Sequence, residues 1–413
     1  MPTLIKPLRG LQPAPQRAAD VIAPPYDVLN SAEARVRARG RPDSFLHISK
    51  PEIDLSEGTG LYDPVVYAKG AENFRRMIAA GVLVRDATPC YYVYRLRMGE
   101  HVQTGIVCTG SVAAYDVNRI RKHEFTRPDK EDDRVRQITA LEAQTGPVLL
   151  AYKPDDAVRE VLARVSATTP LHDTTADDGI AHALWRIDDP ATIAALTRHF
   201  DAMPALYIAD GHHRSAAASR VAAARRAQKP SAGGDDAHEY FLCVAFPADE
   251  MKILDYNRVV KDLRGATTEQ FLARIAAQFS VEPVTGPARP QQPGEFGMYL
   301  GSRWYRLRIR QELVPADPVA SLDVSLLQDQ LLGPVLGIAD PRTDKRIDFV
   351  GGMRGLGELE KRVASGEMAV AFAMFPTSMA ALMAVADANQ VMPPKSTWFE
   401  PKLADGLVSH VLD

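Results

Sequence analysis

Residues 205–218 constrain the fold more than any other part of the chain. Residues 205–209 form a short apolar run that contains Tyr and Ile, the pattern of a buried strand. Asp210 and Gly211 are a turn signal, because Asp bonds neighbouring backbone and Gly permits unusual φ angles. From Ser215 to about Gln228 the chain is rich in Ala with spaced Arg residues, which predicts a helix. The predicted order is therefore strand, glycine turn, helix.

This turn carries side chains suited to binding an anion. The first N–H groups of a helix lack partners within it, and phosphate commonly binds there. Beside the backbone at Gly211, the side chains of His212, His213 and Arg214 could donate to phosphate oxygens. Asp210 adds a carboxylate that could hold a metal or accept a proton. The alternative is that Asp-Gly is only a turn, but the five residues together favour a functional site.

The chain is too long, at 413 residues, for one simple core. Strands are predicted both as a hairpin, at 91–98 and 105–115, and between helices. This mixture predicts an α+β (mixed α/β) fold with mixed sheets and flanking helices. A Gly- and Pro-rich break at 286–294 predicts a main domain at 1–285 and a C-terminal α+β module at 286–413. Residues 229–238 predict a surface loop.

Composition narrows the range of partners. The net charge of −3 argues against nucleic-acid or membrane-surface binding, and no apolar run reaches the length of a membrane span. The three cysteines are too few and too scattered for a disulfide framework or a thiolate metal site, so we expect small buried hydrophobes. A reducing cytoplasm fits these cysteines and no signal peptide is evident, so we expect a cytoplasmic protein. The sequence leaves a homodimer open.

A second dense stretch, residues 121–134, alternates acids and bases. Eleven of its fourteen residues are charged or His, as in sites that hold phosphates, Mg²⁺ and a catalytic carboxylate together. The alternative is a solvated loop whose acids cap a helix predicted from Val135 to Gln144. The candidates here are Glu124 as the catalytic carboxylate and, for phosphate, Lys122, His123, Lys130 and Arg134.

Four segments together resemble a large bacterial and archaeal family of proteins of unknown function. The family's Ile-Ala-Asp-Gly-His-His-Arg motif stands at 208–214. The other three segments are Ala-Pro-Pro-Tyr-Asp-Val at 23–28, Arg-Lys-His-Glu at 121–124 and Met-Pro-Pro-Lys-Ser-Thr at 392–397. The resemblance implies site roles for Asp27 or Tyr26, for the 121–134 stretch and for Lys395. Lys395 is not part of a P-loop, because no Gly-x-x-x-x-Gly precedes it.

More distantly, the turn is similar to the phosphate-binding Gly-x-His-Arg turn of the ParB/sulfiredoxin-like superfamily, whose free serine kinases carry Asp-Gly-His-His-Arg. This resemblance implies a nucleotide-binding core and an ATP- or ADP-dependent kinase. The substrate would be the hydroxyl of a small metabolite, such as free L-serine. Mg²⁺ would bind at Asp210, and Glu124 or Asp27 would accept the hydroxyl proton. The N-terminal catalytic carboxylate of the archaeal serine kinases has no aligned match here, which leaves the base open.

Two other functions remain open from the residues alone. The first is hydrolysis of a phosphoester or nucleotide, in which Asp210, His212 and His213 would bind a metal that activates water. The second is a nucleotide-binding switch without catalysis, as in ParB-like proteins. A switch of that kind adds a helix-turn-helix and a basic DNA-binding face, and the sequence indicates neither.

Overall fold

The computed structural model describes residues 3–228 and 236–413 and divides into two compact units. The first unit comprises Met1–Met251 with Pro401–Asp413, and the second comprises Lys252–Glu400. Most of the surface loop predicted at 229–238 lies outside the described residues.

The strands and helices are numbered in chain order. The strands are β1 (Ile5–Lys6), β2 (Leu11–Pro13), β3 (Leu83–Arg85), β4 (Tyr91–Met98), β5 (His101–Ser111), β6 (Ile120–Arg121), β7 (Ala143–Gln144), β8 (Val148–Tyr152), β9 (His172–Thr175), β10 (Ala181–Ile187), β11 (Leu206–Asp210), β12 (Tyr240–Pro247), β13 (Lys252–Leu254), β14 (Tyr256–Val260), β15 (Phe279–Val284), β16 (Glu295–Leu300), β17 (Arg303–Ile309), β18 (Ile347–Gly351), β19 (Val370–Met374), β20 (Trp398–Glu400) and β21 (His410–Val411). The α-helices are α1 (Ala18–Val21), α2 (Ser31–Ala38), α3 (Leu46–Ser49), α4 (Pro64–Ala79), α5 (Val112–Asp116), α6 (Pro128–Leu141), α7 (Asp156–Ser166), α8 (Pro190–Ala202), α9 (His212–Gln228), α10 (Thr268–Ile275), α11 (Asp323–Leu327), α12 (Gly355–Ala364) and α13 (Met379–Asp387).

A nine-stranded sheet organises the first unit. Its order is β6-β11-β8-β12-β5-β4-β10-β9, and β1 pairs with β5. The pairs β6/β11 and β8/β12 are parallel, whereas β8/β11, β5/β12, β4/β5, β4/β10 and β9/β10 are antiparallel. This mixed sheet with flanking helices confirms the predicted mixed α/β class.

The segment formed by β11, the turn and α9 is held in place by burial against the centre of this sheet. β8 and β12 are buried along their whole length, and β11 is buried except at Asp210. Such strands read as continuous apolar runs because both sheet faces are covered. Ala216, Ala218 and Ala222 of α9 belong to the same core cluster as Ile208 of β11. The small Ala side chains let α9 pack closely against the sheet, so the strand–turn–helix segment is fixed by burial.

Two helices begin earlier than the sequence predicts. α9 begins at His212 and not near Ser215, so the two imidazoles and Arg214 lie in its first turn. α6 begins at Pro128 and not at Val135, because Pro suits the first helical position and acids stabilise a first turn. Residues 128–134, which the alternative interpretation placed in a solvated loop, therefore belong to α6. β10 pairs on both sides, with β4 and β9.

The second unit contains an antiparallel six-stranded sheet in the order β15-β17-β16-β19-β14-β18. The predicted domain boundary at 285/286 falls inside this unit. Residues 285–294 connect β15 and β16, and both strands pair with β17. The Gly- and Pro-rich break is thus a connection within one sheet. The last thirteen residues, predicted to belong to the C-terminal module, belong to the first unit.

Two further expectations concern the core and the surface. Cys90, Cys108 and Cys243 are free and buried, as predicted for small hydrophobes. Among the described residues, no helix combines the length and the apolar character needed to cross a membrane.

Candidate functional site

The candidate site begins where β11 meets α9 in the first unit. Gly211 joins the two elements with φ of +100°, a conformation that L side chains rarely adopt. A Cβ there would lie 3.2 Å from Arg214 Nε and 3.3 Å from Val148 Cα. The Ser215 N–H donates to the Gly211 carbonyl at 3.0 Å, which marks the first bond of the helix. The amides of residues 212–214 precede that bond and therefore have no partner within α9.

His212 points into the protein and accepts a hydrogen bond. Its side chain is buried, and the His123 N–H donates to its Nε2 at 3.4 Å. The rings of His123 and His212 meet edge to face, with 4.5 Å between their centroids. Burial, and then the neighbouring His123, hold the pKa of His212 well below its usual value. The ring is therefore neutral with its proton on Nδ1, which lies 3.6 Å from Glu124 Oε2.

His213 makes the same kind of contact one position later. The Arg127 N–H donates to its Nε2 at 3.1 Å, and burial lowers the pKa of its ring. The two imidazoles thus hold residues 123–127 against the start of α9. The Nε2 atoms of both rings accept these backbone N–H groups, so donation from the imidazoles to phosphate would have to come from Nδ1 and stays a prediction.

Asp210 ends β11 beside two cations. Lys402 Nζ donates to its Oδ2 at 3.2 Å, and Arg214 Nη2 lies 3.7 Å from its Oδ1. Burial opposes ionisation of this carboxyl, but Lys402 and Arg214 outweigh it and hold its pKa well below the usual range. Asp210 is therefore a carboxylate at neutral pH, and a third of its side chain is exposed.

Arg214 is held at the base of the turn. Its Nη1 donates to the Pro147 carbonyl, and its Nη2 lies 3.9 Å from Asp27 Oδ2. Burial alone would lower its pKa, but Asp210 and Asp27 outweigh burial and raise it. The guanidinium is thus a permanent positive charge, and only a tenth of its side chain is exposed.

A pocket with a cavity volume of about 30 Å³ lies beside Arg214 within the first unit. Arg134 borders it, with its guanidinium 3.8 Å from the centroid of the Tyr26 ring and 2.6 Å from Asp133 Oδ2. Asp405 also borders it, is buried, and has no hydrogen-bond partner for Oδ1 among the described residues. Burial raises the pKa of the Asp405 carboxyl to about 7. The pocket is lined by Tyr26, Ser49, Arg134, Gln137, Ile138, Ala143, Gln144, Thr145, Gly146, Val148, Arg214, Leu242 and Asp405.

The structure brings together only some of the predicted site residues. Asp27 and Glu124 flank the turn through Arg214 and His212, and Arg134 borders the pocket. His123 is buried against His212, and burial lowers its pKa to about 4, so its ring is neutral; a phosphate-binding role for it stays a prediction.

Three predicted lysines make contacts of their own. Lys122 Nζ lies 4.0 Å from the centroid of the Tyr115 ring, and burial lowers its pKa. Lys130 Nζ donates to the Tyr62 hydroxyl at 2.8 Å. Lys395 belongs to the second unit, where its Nζ lies 5.4 Å from the centroid of the Tyr256 ring. These contacts are structural, so a phosphate-binding role for each lysine stays a prediction.

The acids of α6 also have structural partners. Arg220 of α9 pairs with Glu131 at 3.3 Å and with Asp132 at 2.6 Å. Asp133 accepts from the Tyr67 hydroxyl at 2.8 Å and pairs with Arg134. Much of the charge in this stretch therefore joins α6 to α9 and α4.

Sequence reasoning missed Lys402 and Asp405. Both lie in the last thirteen residues, which return to the first unit through β21 and its pairing with β7. Asp405 and Ala23 also exchange backbone hydrogen bonds at 2.9 and 3.1 Å. The only local signal was an Ala-Asp-Gly sequence at 404–406, which repeats the one at 209–211. By itself it indicates a turn and not a site.

The chain matches the family described as protein of unknown function (DUF1015) over residues 5–325. It belongs to this family. The match includes the 23–28, 121–124 and 208–214 segments, whereas the 392–397 segment lies beyond it.

Three solved structures show distant similarity. A free serine kinase in complex with AMP is 12% identical, with a TM-score of 0.34 over 73% of this chain and 92% of that chain. A conserved hypothetical protein from Pyrococcus furiosus is 14% identical, with a TM-score of 0.33 over 73% and 95% of the two chains. A C-terminally truncated SbnI from Staphylococcus aureus is 12% identical, with a TM-score of 0.36 over 72% and 85%. No curated protein is significantly similar to this chain.

Proposed function

We propose that this protein is a nucleotide-dependent phosphotransferase that phosphorylates the hydroxyl group of a small metabolite, with ATP or ADP as co-substrate. The observation that supports this proposal is the turn at Gly211. There, the first amides of a seventeen-residue helix follow a buried strand that ends in an ionised carboxylate. Amides at a helix start and a neighbouring carboxylate are the groups that phosphate and its counter-ion need.

In this proposal the nucleotide phosphates accept hydrogen bonds from the amides of residues 212–214. Gly211 has no side chain, so the backbone can come close to the phosphate oxygens. Arg214 and Lys402 offset the phosphate charge, because both are cations beside Asp210. Phosphoryl transfer depends mainly on such positioning and charge compensation.

Asp210 is the residue assigned to Mg²⁺. Among the described residues, no group of three or more His, Cys, Asp or Glu side chains is arranged to hold a metal. Mg²⁺ needs no such group, because it binds through one or two carboxylates, water and substrate phosphates. When bound, it would neutralise charge on the phosphates. The ionised state of Asp210 fits this role, since a protonated carboxyl is a poor ligand.

The remaining role is to accept the proton of the attacking hydroxyl. The substrate oxygen forms a bond to the terminal phosphorus, the bond from that phosphorus to the nucleotide leaving oxygen breaks, and the hydroxyl proton passes to a carboxylate. Asp27 and Glu124 are candidates because each is nearly half exposed beside the turn. Asp27 is on the Arg214 side and Glu124 on the His212 side.

The geometry favours transfer over metal-dependent hydrolysis at the two imidazoles. A His ligand must offer a lone pair to the metal, and the Nε2 lone pairs of His212 and His213 accept backbone N–H groups. Their function in this proposal is to position the 123–127 segment, which carries Glu124.

The direct experiment supplies purified protein with ATP or ADP, Mg²⁺ and a pool of small hydroxyl metabolites that includes L-serine. The expected result is a new phosphorylated metabolite, detected by mass spectrometry, in amounts that match nucleotide consumption. Asp210→Asn should lower this transfer by about a hundredfold or more. The control is Asp188→Asn, the same change on an exposed carboxylate. Two results would contradict the proposal. One is nucleotide breakdown that is as fast without an acceptor as with one, and the other is a wild-type rate of transfer in Asp210→Asn.

A further inference from the structure

The second unit contains a buried cation that no described carboxylate balances. Arg258 of β14 is 4% exposed, and its guanidinium donates to two backbone carbonyls, from Nη1 to Tyr256 and from Nη2 to Lys395 at 2.9 Å. Burial lowers its pKa to about 10, so the group is still a cation at neutral pH. Among the described residues, Tyr256 is the one ionisable neighbour that acts on this pKa, and no Asp or Glu does. A buried charge without a counter-ion is costly, because the lost hydration is not replaced by an opposite charge.

A second cation lies over the same face of the six-stranded sheet. Tyr256 and Arg258 are two residues apart in β14, so their side chains share that face. Lys395 Nζ is 5.4 Å from the centroid of the Tyr256 ring, and Arg258 Cζ is 5.4 Å from the centroid of the Phe349 ring. The centroids of these two rings are 6.0 Å apart. Lys395 is exposed, and within the described part of the chain it forms no ion pair. Two positive charges therefore lie over neighbouring rings without an acid to balance them.

The backbone that carries the exposed cation is held in an uncommon conformation. Lys395 has φ of +60°, in the left-handed region that residues with a Cβ rarely adopt. Its carbonyl accepts the bond from Arg258, Ser396 Oγ donates to the Pro393 carbonyl at 2.6 Å, and Thr377 Oγ1 donates to the Ser396 carbonyl at 2.8 Å. Backbone held in this way is found most often at ligand sites. These bonds fix the position from which the Lys395 side chain extends.

We propose that the second unit binds a phosphate group of a small molecule at Lys395, with the ammonium group as the direct donor and Arg258 as a buried charge that strengthens binding. The exposed Lys395 is the group that a ligand reaches, and Lys binds phosphate as a compact point charge. The charge of Arg258 is screened less than that of a solvated side chain, because it is buried.

The number of cations indicates a phosphate and not a carboxylate. A phosphate monoester carries a charge of about −1.5 to −2 at pH 7, which matches two cations, whereas a carboxylate carries a single charge. This inference goes beyond the proposed function, because it uses no residue of the Gly211 turn and requires no transfer step.

Binding of inorganic phosphate tests the site directly. The full-length protein, without nucleotide, is titrated with phosphate at pH 8 and constant ionic strength, with acetate as the monoanion, and binding is measured by calorimetry. Lys395→Asn removes the ammonium group and suits the backbone, because Asn adopts positive φ more readily than Lys. This variant should bind phosphate about tenfold or more weakly than the wild type, with a smaller effect on acetate. Binding elsewhere in the chain is common to both proteins, so the difference reports this site.

Two further variants test the buried charge and the specificity of the effect. Arg258→Met keeps most of the side-chain length, removes the charge and should weaken phosphate binding about fivefold or more. Lys361→Asn, the same change on an exposed lysine of α12, is the control and should bind phosphate as the wild type does. If Arg258→Met does not fold, Lys395→Asn decides, because the Lys395 side chain is exposed. Phosphate affinity that is unchanged in Lys395→Asn, a loss as large in Lys361→Asn, or an equal loss for acetate would overturn the inference.

Adding ATP or ADP, Mg²⁺ and the pool of hydroxyl metabolites separates this inference from the proposed function. Phosphate binding that requires Lys395, with no phosphorylated metabolite formed, would support this site and contradict the phosphotransferase. Transfer to a metabolite, with phosphate binding that does not change in Lys395→Asn, would support the phosphotransferase and contradict this site.

Discussion

At the scale of single residues, two positions of the candidate site have unusual local structure, one in its backbone angle and one in its hydrogen bonding. Gly211 has φ of +100° and the backbone of Val148 close behind it. Asp405 has a buried carboxyl with an unpartnered oxygen. The backbone angle at position 211 would be strained for any residue with a Cβ. Burial of the Asp405 oxygen without a donor costs desolvation free energy. Both positions can therefore be tested by removing the feature that makes them unusual.

Replacing Gly211 with Ala should destabilise the first unit and weaken nucleotide binding. The strained φ costs about 1–3 kcal/mol for a residue with a Cβ, and the new methyl group meets Arg214 and Val148 at 3.2–3.3 Å. Denaturant unfolding measures the first effect, and calorimetric titration with ATP or ADP measures the second. Gly357→Ala is the matched control, because a Cβ at this helical position meets no atom within 4 Å. Unchanged stability in Gly211→Ala would refute the strain argument.

The Asp405 carboxyl should make stability depend on pH in a defined window. Its pKa is about 7 in the folded protein and about 4 when unfolded, so the folded state holds the proton more tightly. Stability from this group is therefore lost as pH rises from about 4 to about 7. The groups that shift it are Arg214, Asp27, Arg134 and the Tyr26 backbone, beside burial.

Asp405→Asn removes this titration. Relative to wild type, the variant should gain on the order of a few kcal/mol in unfolding free energy between pH 5 and pH 8. Denaturant titrations of both proteins at the two pH values measure the difference. A constant difference across this range would show that Asp405 ionises normally.

At the scale of elements, the start of α9 is built to hold a neighbouring segment. His212 and His213 accept N–H groups from His123 and Arg127, four residues apart in the segment before α6. Adjacent positions in a helical turn point in different directions, so the two rings contact separate points of that segment. The pKa of both rings is lowered, and the neutral form is the one that can accept these bonds. The histidine pair is thus a clamp between two elements.

Replacing His213 with Ala should loosen the 123–127 segment. Loss of one hydrogen bond worth about 1 kcal/mol predicts about fivefold faster amide exchange in peptides that cover this segment. Hydrogen–deuterium exchange with mass spectrometry measures it. His199→Ala is the control, because His199 lies in α8, nearly half of its side chain is exposed, and it pairs with Asp155 at 3.5 Å. Exchange that does not change in His213→Ala would mean that the segment is held by other contacts.

At the scale of the whole molecule, the first unit is assembled from both ends of the chain. Residues 401–413 pair with β7 through β21, bond to Ala23 and Leu11, and place Lys402 and Asp405 at the site. Leu407, Val408 and Leu412 are buried in this segment. The site therefore needs a stretch that is distant from the rest of its unit in sequence.

Deleting residues 401–413 should destabilise the first unit by several kcal/mol, about 1.5–3 kcal/mol for each fully buried aliphatic side chain. Thermal unfolding followed by circular dichroism measures the loss. Deleting only Asp413 is the control, since it removes one ion pair, with Arg85 at 2.6 Å, in which the Asp413 side chain is mostly exposed. That control should cost at most about 1 kcal/mol. An unfolding midpoint that is equal for the two truncated proteins would contradict this account.

Local sequence predicted much of the fold. The hairpin predicted at 91–98 and 105–115 is present as β4 and β5, because its pattern of apolar residues is a local signal. The strand before Asp210 and the helix after it were predicted for the same reason. The predicted starts of the helices were less accurate. Polar first turns, such as residues 128–134, resemble loops in a single sequence, and only packing of α6 on α9 shows otherwise.

The sequence by itself determined the mixed α/β class and the strand–turn–helix segment; that Asp27, Glu124 and Arg214 form one site stays a prediction. Tertiary structure decided what the polar atoms do. It directed both imidazoles to backbone N–H groups, brought Lys402 and Asp405 from the chain end, and left one carboxyl oxygen without a partner. The physical reason is that a propensity depends on a residue's neighbours in sequence. Hydrogen-bond partners, burial and pKa depend on its neighbours in space.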